Sequence, residues 1–161
     1  MSYENGRVKR RSLAIGVCTA GIAVLLLAGI WFWPRQAFIP GDPSDRDQVA
    51  FGSRVYGRIC ANCHGTGLDG QLGWQQPLKD GTRLAPAHNT DGQTWRYSDE
   101  ALFEVVKFGG DYDKPDGGIS RMPAFENKLT DDEIWSIIAF IKSHWPTEVL
   151  EAQQSVTTAK P

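Results

Sequence analysis

From Leu13 to Trp33 the chain runs 21 residues without a charged side chain, and this stretch splits it into two parts suited to different solvents. As a helix rising 1.5 Å per residue, such a run covers roughly 31 Å, the thickness of a bilayer's hydrocarbon core. Trp31-Phe32-Trp33 close it with rings that favour the headgroup boundary. Arg7, Lys9, Arg10 and Arg11 precede the run, and only Arg35 follows it closely. The positive-inside bias therefore predicts a cytoplasmic segment 1–11, a single transmembrane helix 12–33, and export of everything beyond. A cleaved signal peptide would need a shorter apolar region, about 7–15 residues, ending at a small-x-small site. Neither feature is present, so the anchor is read as uncleaved. Cys18 has only Leu13 to Val17 as apolar sequence before it, too little for a lipoprotein cysteine, and reads as a small apolar helix residue.

The exported part has the opposite charge balance. Residues 1–11 carry a net +3, whereas the other 150 residues hold 13 basic and 18 acidic side chains. With 41% hydrophobic and 11% aromatic residues the chain is too apolar for wholesale disorder. Three cysteines exclude a disulfide-stapled miniprotein, and a net charge of −2 gives no support to nucleic-acid binding.

Pro34, Pro40 and Pro43 make residues 34–43 a stiff spacer, with a reach of about 33–36 Å when fully extended. Ser44 with Asp47 predicts the start of a helix that carries Phe51, Val55 and Ile59 on one face. Ser98, followed by Asp99 and Glu100, opens a second helix through Leu102, Val105 and Val106, which Gly109 and Gly110 stop. Thr130 and Glu133 form a capping box, with Leu129 and Ile134 placed as a hydrophobic staple. Ile134, Ile137, Ile138 and Ile141 then keep helical spacing up to Pro146. No alternating strand pattern occurs, so the fold class is all-α, and the polar tail 147–161 is expected to be loosely ordered. The stretches 65–97 and 109–121 are long for loops that pack only on each other. A large apolar cofactor would give them a surface.

Cys60-Ala61-Asn62-Cys63-His64 is such a cofactor's signature, C-x-x-C-H, the c-type haem attachment signal. Two thiols three residues apart can each add to one vinyl group of a single porphyrin, and the next residue then aims an imidazole at the iron. A zinc site would need a second pair of ligands, and a thioredoxin-like redox pair would need a βαβ context; neither is found. Met122 is the one methionine outside the amino terminus, so it is the candidate thioether for the iron's other face. It follows the glycine-rich stretch from Gly109 to Gly118 and precedes Pro123. As rival ligands, His88 reads as a solvated loop residue and His144 as a helix-end residue facing free carbonyls. Trp95, Arg96, Tyr97 and Arg83 could hydrogen-bond haem propionates, or serve ordinary loop packing.

With C-x-x-C-H after a first helix, Met-Pro in a late loop and an aromatic last helix, residues 44–146 resemble a class I cytochrome c. The resemblance implies that fold around one covalent haem c, preceded here by the single amino-terminal transmembrane helix. It implies that Cys60 and Cys63 hold the haem and that His64 and Met122 are its axial ligands. In this family a glycine and an aromatic of the first helix cross the last helix; Gly52 and Tyr56 match, with Trp135 or Phe140 opposite. The family also uses a proline carbonyl to accept the axial histidine's Nδ1–H, and Pro86 is the residue in that place. The gap from His64 to Pro86 exceeds that of small members, and Pro77 lies within it.

A haem with both axial positions filled exchanges electrons and admits no substrate. The expected function is thus a one-electron carrier or electron-transfer subunit, not an enzyme, tethered to the bacterial inner membrane and facing the periplasm. Its partners would be a redox donor and acceptor, such as respiratory complexes. A peroxidase-like enzyme or a sensor, with an open sixth iron position, is the alternative. The short spacer favours a fixed subunit or a short-range shuttle.

Overall fold

The computed structural model describes residues 39–112 and 119–159. Residues 1–11, the expected anchor 12–33 and residues 34–38 of the spacer lie outside these residues, as do residues 113–118 of the glycine-rich loop. Among the described residues no helix is long and apolar enough to cross a membrane.

Helix α1 spans Arg46–Ile59, and its N-cap is Asp45. The Asp45 carboxylate accepts from the Asp47 and Gln48 amides at 3.0 and 3.1 Å, satisfying two of the free donors of the first turn. The expected Ser44 cap is corrected: Ser44 instead donates its amide and hydroxyl to the Asp42 carboxylate at 2.8 and 2.7 Å. A charged acceptor one residue later outcompetes the serine hydroxyl for the helix amides.

The four-residue helix α2, Ala61–His64, follows α1 after the single joint residue Cys60. Helix α3, Asp99–Phe108, begins at the Ser98 hydroxyl, which accepts from the Ala101 amide at 3.2 Å, and ends at Gly109. Helix α4, Asp131–Lys142, starts at the anticipated capping box, with both Thr130–Glu133 hydrogen bonds in place. Such caps contribute about 0.5–2 kcal/mol each. Between α2 and α3 lie strand β1, Thr82–Arg83, and a 3₁₀ turn, Thr94–Arg96; strand β2, Ile119–Ser120, pairs with β1 in parallel. Two residues per strand leave the architecture helical.

Residues 147–158 of the tail are not loosely ordered. Thr147–Thr158 form helix α5, whose Gln153 is completely buried. Gln153 donates to the Tyr97 carbonyl at 3.1 Å and to the Asp99 carboxylate at 2.7 Å, fastening α5 to the 3₁₀ turn and the start of α3.

Helices α1 and α4 share the most extensive helix–helix contact in the described unit. They cross at Gly52, where an added Cβ would collide with the Ser136 carbonyl oxygen. Only glycine lets the two backbones approach this closely. One turn on, Tyr56 meets Phe140 at 5.1 Å between ring centroids. Trp135 turns away from this crossing to stack on Phe103 of α3 at 4.6 Å. Val55, Tyr56, Leu68, Ile134, Ile137 and Ile138 form the centre of the core.

Candidate functional site

The C-x-x-C-H residues occupy the joint between α1 and α2. The Cys60 amide donates to the Tyr56 carbonyl at 2.8 Å, and the Cys63 and His64 amides donate to the Cys60 carbonyl at 3.0 and 2.9 Å. Both thiols are free and lie one turn apart, Cys63 exposed and Cys60 half-buried. Burial, with the Cys63 thiol nearby, pushes the Cys60 thiol up to about 11. Tyr56, one turn before Cys60, donates its phenol to the Gly65 carbonyl at 2.9 Å, which closes the turn behind His64. Burial, with Cys60 and Asp69 adding to it, raises that phenol above its ordinary range.

His64 is buried, and its Nδ1 lies 2.9 Å from the Pro86 carbonyl. A carbonyl only accepts, so Nδ1 carries the hydrogen and Nε2 presents a lone pair. Burial lowers the His64 pKa, and the Pro86 hydrogen bond partly opposes it. The carbonyl is held in place from both sides. A Cβ on Gly70 would come within 2.5 Å of the Ala87 amide nitrogen, and one on Gly92 would collide with the Ala87 carbonyl. The Gly70 amide also donates to the His64 carbonyl at 2.9 Å, tying the loop back to α2.

His88 departs from the expectation of a solvated loop residue. Its ring stacks on His64, with centroids 4.2 Å apart and planes 21° apart. Its Nδ1 lies 2.7 Å from the Thr94 hydroxyl, which donates on to the Ala87 carbonyl at 3.4 Å. Burial, with His64 beside it, pushes the His88 pKa down to about 3, so this ring is neutral. The reason for the difference is that the Pro86 carbonyl can reach His64 only if the loop passes directly behind the imidazole, which carries His88 into contact. His144 takes its expected place, its Nδ1–H donating to the Phe140 carbonyl at 2.8 Å.

Met122 is half-buried and packs on the same core cluster as Cys60, Trp95, Leu102, Phe103 and Val106. Its backbone is tied at both groups: the amide donates to the Ser120 hydroxyl at 3.1 Å, and the carbonyl accepts from the Gly110 amide at 3.0 Å. The Trp95 indole N–H donates to the Gly92 carbonyl at 3.1 Å. Arg96 lies over the Trp95 ring, its guanidinium carbon 4.9 Å from the centroid. Tyr97 is half exposed, and Arg83 is exposed on β1.

The family model described as cytochrome c oxidase, cbb3-type, subunit III matches residues 47–141, from the first turn of α1 to the last turn of α4. The chain belongs to this family. It is a class I c-type cytochrome, and its cofactor is a covalently bound haem c. A domain of this kind transfers electrons through its haem, which implies redox partners. Among solved structures, cytochrome cL from the marine methylotrophic bacterium Methylophaga aminisulfidivorans is similar at 23% identity and a TM-score of 0.47. That likeness covers 74% of this chain and 72% of the other. No curated protein matches.

The residues of the cytochrome fit a haem. Two free thiols stand at the motif's spacing, an imidazole is fixed in the tautomer that leaves Nε2 for iron, and α3 carries half-buried apolar side chains on the same core. The sequence placed His88 in solvent and gave Gly70 and Gly92 no role. A histidine six residues before a threonine, in the loop after the proline that accepts from His64, is a signal only when the path of the loop is known.

Proposed function

We propose that this cytochrome is a membrane-tethered, periplasm-facing one-electron carrier, working as an electron-transfer subunit of a bacterial terminal oxidase complex. The observation that carries the electron-transfer reading is the His64–Pro86 hydrogen bond beside two free thiols, which prepares one imidazole nitrogen for iron. When bound, haem c supplies one-electron redox chemistry, with a potential raised by methionine ligation. Cys60 and Cys63 would hold the group covalently, and His64 and Met122 would ligate its iron. Tyr56, buried and hydrogen-bonded to the Gly65 carbonyl, excludes water behind the histidine turn. Arg83, Arg96 and Tyr97 supply donors suited to propionates.

The tether rests on the uncharged run 12–33 and the basic cluster before it, which favour a cytoplasmic amino terminus and a periplasmic haem domain. The subunit role rests on the family's own description together with the short, proline-rich spacer. A tether reaching at most about 33–36 Å confines the haem domain to partners in or against the same membrane.

Native electrophoresis of a mild-detergent extract, stained for haem, tests this directly. The proposal expects a haem band that migrates well above a 17.8 kDa monomer, with oxidase activity in the same band. A haem band at monomer size, or mature protein whose first residue lies beyond Trp33, would overturn the subunit or the tether respectively.

A further inference from the structure

Building on the reading of His64 as an iron ligand, we propose that His88 is a positioning residue, its stacked ring setting the rotational angle of the His64 imidazole. The hydrogen bond from Nδ1 to the Pro86 carbonyl fixes where that nitrogen points. It leaves the ring able to rock about the N–H···O axis. A second flat ring against the imidazole face removes this freedom, and His88 supplies one at 4.2 Å and 21°.

His88 is itself held from several elements. Its amide donates to the Leu68 carbonyl at 2.8 Å, and its carbonyl accepts from the Trp145 indole at 2.7 Å. Its Nδ1 contacts the Thr94 hydroxyl at 2.7 Å, and Tyr56 of α1 meets it edge-on at 6.5 Å. The link between α4 and α5, the 3₁₀ turn and α1 are thereby coupled to the plane of one imidazole. Filling a gap behind His64 would need only an apolar side chain; it would not need the buried Thr94 hydroxyl, whose hydrogen bonds orient the His88 ring. Groups that hold a metal-ligating histidine in orientation tune the metal it binds.

The test uses the full-length, haem-loaded cytochrome with His88→Ala, His88→Phe and Thr94→Val. Three quantities are read in the oxidised protein or across its redox couple: the g-value anisotropy of the low-spin iron, the spread of the haem methyl resonances, and the midpoint potential. His88→Ala should change all three. Thr94→Val, which keeps the ring and frees its nitrogen, should move them in the same direction by less. His88→Phe, which keeps a flat ring, should restore anisotropy and methyl spread toward the wild type. Wild-type values in His88→Ala would overturn the proposal. Should that variant fail to load haem, wild-type values in Thr94→Val would overturn it instead. A His64→Ala protein that keeps the native low-spin spectrum would instead remove the ligand assignment beneath it, a separate outcome.

Discussion

Lys142 of α4 and Asp99 of α3 form an ion pair shut off from solvent, the ammonium 2.7 and 2.9 Å from the two carboxylate oxygens. Their side chains are only 5% and 12% exposed, and the buried Gln153 amide of α5 shares the same carboxylate at 2.7 Å. Three helices therefore meet at one charged centre. Burying the two charges is costly, and the attraction between them offsets that cost only while both partners are present.

Lys142→Met should accordingly cost about 3–5 kcal/mol, because it strands the Asp99 carboxylate among buried groups. The double variant Lys142→Met, Asp99→Leu should recover much of the loss. Denaturant unfolding of the haem-loaded protein measures both. A single variant within experimental error of the wild type would show that the pair is solvated in practice.

The α1–α4 crossing makes a sharper demand. Gly52→Ala places a methyl group against the Ser136 carbonyl, which backbone cannot yield without separating the helices. A loss of about 1–3 kcal/mol is expected, the usual range for overpacking, and thermal melting reads it. At the solvated Gly57, where an added Cβ meets nothing within 4 Å, the same change should leave stability level or slightly improved.

Asp80 makes stability depend on pH near the β1–β2 pair. The Thr82 amide and hydroxyl, with Arg121 adding a smaller attraction, hold its carboxyl below the usual carboxylate range. A carboxylate with a lowered folded-state pKa stabilises the fold above its unfolded value, and the contribution fades as pH falls through the folded value. Asp80→Ala should therefore unfold at lower denaturant than the wild type at neutral pH, and the two midpoints should converge on acidification. Midpoints that keep a constant separation down through the carboxylate range would refute the linkage.

Two of the three helix starts read from the chain hold: Ser98 and Thr130 cap α3 and α4 as anticipated, whereas at α1 the Asp45 carboxylate, not Ser44, takes the cap. The C-x-x-C-H spacing was readable from the motif itself, and the Gly52 crossing and the Pro86 carbonyl through the family resemblance. Helix α5 was not. Its one completely buried residue is Gln153, and hydropathy has no means of flagging a buried amide. What buries it is Asp99, 54 residues away, a partner that only the tertiary fold supplies. His88 was misplaced in solvent for a related reason: its contact with His64 depends on how the loop passes behind the histidine, and the loop's length alone leaves that path open.

The ligand on the iron's second face carries the central claim, since an electron carrier and an open-site enzyme differ there. Near-infrared absorption of the oxidised, full-length cytochrome tests it most directly. If the Met122 sulfur completes the iron's coordination, the protein shows the weak band of thioether-ligated ferric haem, and Met122→Ala loses that band, lowers the potential and admits small external ligands. A wild-type protein that lacks the band and binds such ligands readily would contradict the account and leave the open-site enzyme in its place.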